Sequence, residues 1–361
     1  MQNVNVTSNG GALFTGSNAS FIDVQGNLNF HAMRPFIGDD GHVYVNRYRG
    51  GDPKAVTSYS AERVQRNGTL RRDEWKQLDE AILAVASTRL DGVQDLVDNN
   101  LIYDLGGNGM ASTVLEHHTK DRPFTASVSM DGVVRGENDR PNYETVYTPL
   151  PITHVDYEIT ARELAVSRKL GNPLNVDDAV DAARAVMLKR EQMLFTNVTY
   201  AFGGGTIYSY INHPRRNTVS MGTNWASDTV ANIWTDVKSL KAALIAKNQF
   251  GPYALYYPQD CETKFDDDYS TSTAQNMTLR ERVLKLQNMK ICKAVDTLPT
   301  GNAVMVNLST NTVRLVRGMG LTNLEWSNDG GMLFRYKVMA IEIPQIRADA
   351  SNQCGVAHCA V

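Results

Sequence analysis

Cysteine is scarce in this sequence, which has four among 361 residues. So few cysteines exclude a disulfide-rich scaffold, and the fold must depend on a buried apolar core. Long apolar runs are also lacking, because no window approaches the ~18 apolar residues that a membrane span needs. The first residues have neither the basic nor the apolar part of a signal peptide. We therefore expect a protein without membrane contact that is made and folded in a cytoplasm.

An excess of basic charge is lacking as well. The chain has 36 Lys and Arg against 39 Asp and Glu, which gives a net charge of -3. Surfaces that hold nucleic acid by neutralising phosphates carry a marked excess of Lys and Arg. The charge therefore argues against such a surface. The hydrophobic fraction of 42% is that of an ordinary globular protein with a sizeable core.

Complete catalytic and cofactor-binding motifs are missing too. The glycines at 203–205 and 106–109 lack the residues and spacing of phosphate-binding and dinucleotide-binding loops, so we interpret both as linkers. His117 and His118 are adjacent and lack the i, i+4 spacing of a helical metal pair. The three aspartates at 266–268 lack the glycine and glutamate of a calcium loop. We predict no catalytic residue, cofactor or metal site, and a soluble enzyme of unrecognised type stays as the remote alternative.

The first 69 residues differ from the rest of the chain. They are rich in Asn, Gly and Ser and have no sustained apolar period, which predicts an extended arm that must lie against something else. At Thr69 the pattern changes, because a hydroxyl residue precedes apolar positions at Trp75, Leu78 and Ile82. This spacing predicts a capped amphipathic helix.

Residues 116–159 have no helical period and are rich in Thr, Val and Tyr. The dipeptide Asp131-Gly132 is typical of a tight hairpin turn, because such a turn needs positive φ. A second arm follows at 143–147. These features predict a long two-stranded ribbon that projects from the molecule. Isolated ribbons are marginal in water, so we expect this one to lean on a neighbouring surface.

The remaining chain contains helices and strands in separate blocks. We predict helices from about 175 to 195, 228 to 244 and 279 to 286, and strands at 152–159, 251–258, 303–307, 313–316 and 333–343. Blocks of this kind indicate an α+β fold. Beyond the last strand we expect a short tail at 347–361 that carries Cys354 and Cys359. A zinc site that uses these cysteines and His358 would lack a fourth ligand.

The order of these elements resembles the capsid fold shared by tailed-bacteriophage major capsid proteins and encapsulins, the Hong Kong ninety-seven type. The resemblance covers about 70–346 and is nearest to encapsulins at the Gly-Pro-Tyr-Ala-Leu sequence of 251–255. It implies an extended N-arm at 1–69, a peripheral domain at 70–115, 150–200 and 303–346 with a long spine helix, an extension loop at 116–149, an axial domain at 201–302 and a C-terminal tail at 347–361.

The resemblance also implies a function. A non-enzymatic major capsid protein of this type self-assembles into pentamers and hexamers, which form the icosahedral head around phage double-stranded DNA. Assembly takes place in the host bacterial cytoplasm and the protein ends in the virion. The implied partners are further copies of the chain, portal, scaffolding and decoration proteins, and packaged DNA held by weak non-specific contact. Because the chain starts at its own Met1, we expect a separate scaffold or none.

Two sets of residues are predicted to join subunits. The extension loop should make inter-subunit contacts through Phe124, Val128, Asp131, Gly132, Val134, Tyr143 and Tyr147. Cys354 and Cys359, on a flexible tail, are candidates for inter-subunit disulfides once particles leave the reducing cytoplasm, and two free thiols on the tail are the alternative. A covalent weld from an extension-loop lysine is disfavoured, because residues 121–168 contain no lysine.

An encapsulin-like nanocompartment that encloses cargo protein is the alternative within the same fold. Encapsulins use their first helix and inner wall as the docking site for a cargo peptide. The additional residues 1–69 precede that helix here and would obstruct such a groove. We therefore favour a phage shell.

Overall fold

The structure is a computed structural model that describes residues 35–37, 40, 42–48, 59–63, 70, 72–86, 91–106, 108–120, 126, 128–130, 143–170, 176–269, 277–329, 332–349 and 353–361. The helices are α1 (Arg72–Ala86), α2 (Asp91–Asp98), α3 (Ala161–Leu170), α4 (Asp177–Phe195), α5 (Val230–Ala246), α6 (Glu262–Asp266) and α7 (Leu279–Leu284).

The strands are β1 (Pro35–Ile37), β2 (Val43–Tyr48), β3 (Tyr59–Arg63), β4 (Ile102–Asp104), β5 (Val114–Lys120), β6 (Tyr143–Pro149), β7 (Thr153–Thr160), β8 (Tyr200–Phe202), β9 (Gly205–Ile207), β10 (Asn217–Ser220), β11 (Tyr253–Pro258), β12 (Met289–Val295), β13 (Asn302–Asn307), β14 (Val313–Asp329), β15 (Leu333–Ile346) and β16 (Val356–Ala360). The mixture of helices and separate sheets confirms the predicted α+β class.

A five-stranded sheet in the order β10-β16-β13-β11-β12 forms one half of the core. Every residue of β11 is buried, as expected for a strand covered on both faces. Helix α5 packs against this sheet through Ile233, Val237, Leu240 and Leu244, which are the apolar positions that the sequence predicts. The helix begins one residue after Thr229, whose side chain accepts a hydrogen bond from the Asn232 N–H.

A four-stranded sheet in the order β4-β14-β15-β7 forms the other half. The long helix α4 lies along it, with Ala183, Val186 and Leu194 buried. Asp177 and Asp178 occupy the first turn of α4, where negative charge is favourable near the positive end of the helix dipole. Helix α1 packs on α4, and α2 contacts α4, β14 of the four-stranded sheet and β12 of the five-stranded sheet.

Two antiparallel strand pairs accompany these two sheets. β5 and β6 form a ribbon, and β8 and β9 form a hairpin that packs against β6. The turn of the hairpin, Gly203-Gly204, has positive φ at both residues, which glycine adopts without strain. A Cβ at Gly205 would lie 2.2 Å from the Tyr147 carbonyl oxygen, so the close approach of hairpin and ribbon requires glycine here. No helix among the described residues is long and apolar enough to cross a membrane.

The N-terminal segment is not wholly an extended arm. Within 35–63, β1, β2 and β3 form a three-stranded antiparallel sheet. Phe36 is buried in the cluster that contains Trp75, and the Ile37 N–H donates to the Leu70 carbonyl at 3.1 Å. This sheet was not predicted from the sequence, because its strands are only three to six residues long. Residues 1–34 lie outside the described residues.

The five-stranded sheet corrects two predicted assignments. These are the C-terminal tail at 347–361 and the boundary between the axial domain and the peripheral domain, which was placed between 302 and 303. β16 lies between β10 and β13, and β13 pairs with β11. Cys354 and Cys359 are fully buried in this part of the structure. Residues assigned to three different units by the sequence argument therefore belong to one sheet, because non-local pairing is not visible in a local pattern.

A candidate assembly surface

The β5–β6 ribbon is a candidate surface for subunit contact. Val114 pairs with Pro149 at one end, and Lys120 pairs with Tyr143 at the other, where residues 121–142 connect the strands. The arms of the ribbon are therefore 114–120 and 143–149. Residues 128–130, which directly precede the predicted turn at Asp131-Gly132, are not in a strand.

Three of the predicted contact residues are described, and all three are exposed. Tyr143 is 64% exposed, Tyr147 is 40% exposed and Val128 is almost completely exposed. Met130, which the sequence argument did not single out, is also fully exposed. The other four predicted contact residues, Phe124, Asp131, Gly132 and Val134, lie outside the described residues, as does the predicted turn.

The opposite face of the ribbon is anchored by polar contacts. Gln345 on β15 is buried, and its Nε2 donates to Thr148 Oγ1 at 2.9 Å and lies 3.1 Å from His117 Nδ1. Near the far end of the ribbon, Arg215 donates two hydrogen bonds to the Glu144 carboxylate, the shorter at 2.7 Å. The described part of the ribbon is therefore held in place while its apolar side chains stay exposed.

An apolar groove lies at the base of the ribbon. It has a volume of about 220 Å³, and its lining includes Met110, Pro151 and Ile152. Tyr200 and Phe202 on β8 also line it and are 45% and 52% exposed. The sequence argument missed this groove. The available signal was the alternation of aromatic residues at 200 and 202 immediately before the glycines at 203–205.

Buried charges hold the spine helix on the four-stranded sheet. Arg190 on α4 forms an ion pair with Glu342 on β15, and Arg317 on β14 donates to the same carboxylate at 2.6 Å. Glu342 is buried, so its charge requires these partners. The next residue along α4, Glu191, accepts a hydrogen bond from the Gly92 N–H at 2.9 Å, at the start of α2.

A second buried network connects α2 to the five-stranded sheet. Asp95 accepts hydrogen bonds from Lys293 Nζ at 2.6 Å and from the Tyr256 hydroxyl at 3.1 Å. Burial, followed by the nearby Asp95 charge, raises the pKa of Tyr256 well above its usual value, so the phenol stays protonated and donates. The two halves of the subunit are thus fixed to each other by specific polar contacts.

Two of the described histidines, His213 and His358, are buried. Burial, followed by Arg216, lowers the pKa of His358 to about 4, and burial, followed by Arg215 and Arg216, lowers the pKa of His213 to about 4. His358 Nε2 lies 2.8 Å from Asn302 Oδ1, and its Nδ1 accepts from Arg216 Nε at 3.1 Å. Among the described residues, no group of three His, Cys, Asp or Glu side chains could hold a metal ion.

Similar folds occur in solved capsid and particle structures. A virus-like particle from Pyrococcus furiosus has a TM-score of 0.58 at 13% identity and covers 79% of this chain and 98% of that chain. The capsid of Myoviridae phage XM1 has a TM-score of 0.54 at 10% identity, with 76% and 93% covered. The capsid of a native GTA particle has a TM-score of 0.51 at 11% identity, again with 76% and 93% covered.

The predicted fold is confirmed by these structures, which share the Hong Kong ninety-seven type arrangement at low sequence identity. At the level of sequence, residues 65–359 match a family described as a family of unknown function, DUF6260. The match includes both sheets, the spine helix and the ribbon. The chain therefore belongs to the DUF6260 family and has the Hong Kong ninety-seven type capsid fold.

Proposed function

We propose that this chain is a major capsid protein that self-assembles into pentamers and hexamers to form the icosahedral head around phage double-stranded DNA. The observation that carries the proposal is the ribbon, whose apolar side chains face solvent in the single subunit. In this proposal 70–115, 150–200 and 313–346 contribute to the peripheral domain, and 116–149 form the extension loop. The five-stranded sheet, which includes β13, surrounds the five-fold or six-fold axis. Portal, scaffolding and decoration proteins are its further partners.

The exposed side chains give assembly a physical driving force. Burial of apolar surface contributes about 25 cal/mol per Å², so Val128, Met130 and Tyr143 favour contact with another molecule. A stable interface usually buries more than about 1,000 Å² in total. The ribbon and the apolar groove are two separate contact areas on the same subunit. A closed shell requires each subunit to contact more than one neighbour.

The charge of the chain fits a container for DNA. A net charge of -3 gives little attraction between the wall and phosphates. DNA inside such a shell would be retained by enclosure and by weak non-specific contact.

The structure of the N-terminal segment favours a phage head over a cargo-holding nanocompartment. Phe36 of β1 packs into the same cluster as Trp75 and Leu78 of α1. The first helix is therefore partly covered by the chain itself, which leaves less of it for a cargo peptide.

Electron microscopy of the purified full chain tests the proposal. We expect closed particles of uniform size, or pentamers and hexamers by size-exclusion chromatography with light scattering. Particles from infected or expressing cells should contain nuclease-protected DNA when the phage packaging proteins are present. A monomer under all native conditions would contradict shell formation, and uniform particles that enclose one protein species would favour the nanocompartment.

A further inference from the structure

Two arginines lie together at the end of the β14–β15 hairpin. Arg314 is opposite Gln345 in the register of the strands, and its Nε donates to Gln345 Oε1 at 2.5 Å. Its guanidinium stacks on the Tyr103 ring at a distance of 4.0 Å. Arg347 follows two positions after Gln345, and its backbone N–H donates to the Thr312 carbonyl. Alternate residues of an extended strand share a face, so Arg347 lies on the side of Gln345 and Arg314.

Neither guanidinium has a carboxylate partner among the described residues. Arg347 Nε is buried and has no hydrogen-bond acceptor there. Other half-buried arginines differ, since Arg168 pairs with Glu74 at 2.7 Å. A guanidinium that is withdrawn from water without an acceptor costs free energy, and a second positive charge close to it raises that cost.

Gln345, which accepts a hydrogen bond from Arg314, also lines a polar cavity, although neither Arg314 nor Arg347 is among the residues that line it. Gln345 and His117 line this cavity, which has a volume of about 280 Å³. Burial is the main reason that the pKa of His117 falls to about 4, and the next two causes are the charges of Arg347 and Arg314. Both guanidiniums therefore act on the same imidazole, which stays neutral at pH 7.

We propose that Arg314 and Arg347 form a binding site for an oxyanion. Guanidinium groups bind phosphate and carboxylate oxygens through paired N–H donors, and such charge-assisted hydrogen bonds are strong. The oxyanion comes either from solution, as a phosphate-type ion, or from a carboxylate of a second copy of the chain. Only the second source rests on the proposed shell, so the site can be tested without assembly.

The first arm of the test uses inorganic phosphate and the unassembled full chain. At constant ionic strength, phosphate at ten times its dissociation constant should raise the unfolding temperature by roughly 2 °C relative to chloride. Arg347→Gln should abolish the shift, and Arg347→Lys, which keeps the charge but loses the paired donors, should reduce it. Arg335→Gln is the matched control, because Arg335 is on β15 and pairs with Glu158. This control should keep the full shift.

The second arm identifies a carboxylate from a neighbouring subunit. A high-resolution map of assembled particles should then show an Asp or Glu of another copy within hydrogen-bond distance of Arg347 or Arg314. A phosphate shift, or a neighbouring carboxylate in the map, supports the site and identifies the source of the oxyanion. The inference would be overturned if phosphate gave no shift and the particles showed only solvent at the two arginines. It would also be overturned if phosphate gave no shift and no particles formed. Failure of assembly with a clear phosphate shift would contradict only the proposed shell.

Discussion

The four cysteines lie in the interior of the folded subunit. Burial raises the pKa of the Cys354 thiol to about 11 and that of Cys359 to about 12. Inter-subunit disulfides would require both cysteines to lie on a flexible tail. Instead, Cys359 lies in β16, Cys354 lies two residues before that strand, and both thiols are inaccessible. This result removes the reason for expecting covalent links through these residues.

We predict that native particles run as a 40.0 kDa band without reductant. At pH 8 a thiol of pKa 11 is about 0.1% thiolate, compared with about a quarter for an unperturbed cysteine, so alkylation should be slow. Iodoacetamide labelling followed by mass spectrometry should find Cys354 and Cys359 unmodified in native protein and modified in urea. Multimers that disappear on reduction would contradict this expectation.

His358 should make stability depend on pH. Its pKa is about 4 in the folded state and about 6.5 when unfolded, so between these values the unfolded chain binds more protons. Stability is therefore lost as the pH falls from about 6.5 to 4, by about 2–3 kcal/mol for this residue. Urea unfolding from pH 7 to 4 measures the effect.

The matched variants for this experiment are His358→Gln and His154→Gln. The first should reduce the pH dependence by the share of one histidine, because His117 and His213 also have a pKa of about 4 in the folded state and still titrate. His154 is exposed and should leave the dependence unchanged. An equal pH dependence in wild type and His358→Gln would show that another group is responsible.

At the scale of elements, Glu342 connects three of them: α4, β14 and β15. Glu342→Gln would leave the Arg190 guanidinium buried without its counter-charge, which typically costs about 3–5 kcal/mol. Glu158→Gln is the control, because its pair with Arg335 is exposed and contributes about 0–1 kcal/mol. The free energy of unfolding in urea should separate the two variants, and equal losses would refute a special role for Glu342.

Strongly periodic elements could be predicted from the sequence. The helices α4 and α5 and the strand β11 lie within a few residues of their predicted bounds, because a wide apolar stripe or a continuous apolar run determines each one. A long two-stranded ribbon was predicted in this region, but the pairing of 114–120 with 143–149 was not.

Elements that depend on distant partners could not be predicted. β16 is five residues long and contains His358 and Cys359, so its composition alone does not indicate a strand. It becomes a strand because β10 and β13 supply hydrogen-bonding edges on both sides. The groove at Tyr200 and Phe202 was missed for the same reason, since it forms only where β8 meets the base of the ribbon.

At the scale of the whole molecule, the ribbon should be dispensable for folding and necessary for assembly. Lys120 and Tyr143 are paired, so replacing residues 121–142 with Asn-Gly should close the ribbon with a two-residue turn. We expect unchanged circular dichroism and loss of particles in electron microscopy. Particles of normal yield from the trimmed chain would contradict an assembly role.

A milder variant separates apolar contact from loop length. Val128→Ser with Met130→Ser keeps the full length of the chain between β5 and β6 but removes two fully exposed apolar side chains. It should lower particle yield. Met332→Ser removes an equally apolar side chain, also exposed, from the turn between β14 and β15, and should have no effect.

The order of strands in the five-stranded sheet also determines when it can close. β10 has β16 as its neighbour in that sheet, and Asn217 pairs with Ala357, about 140 positions later along the chain. At about 5–20 residues per second, a ribosome needs roughly 7–30 s to supply that partner. During this interval the edge of β10 is exposed to other nascent chains, so faster translation or lower temperature should change the soluble yield more than the stability of the finished subunit.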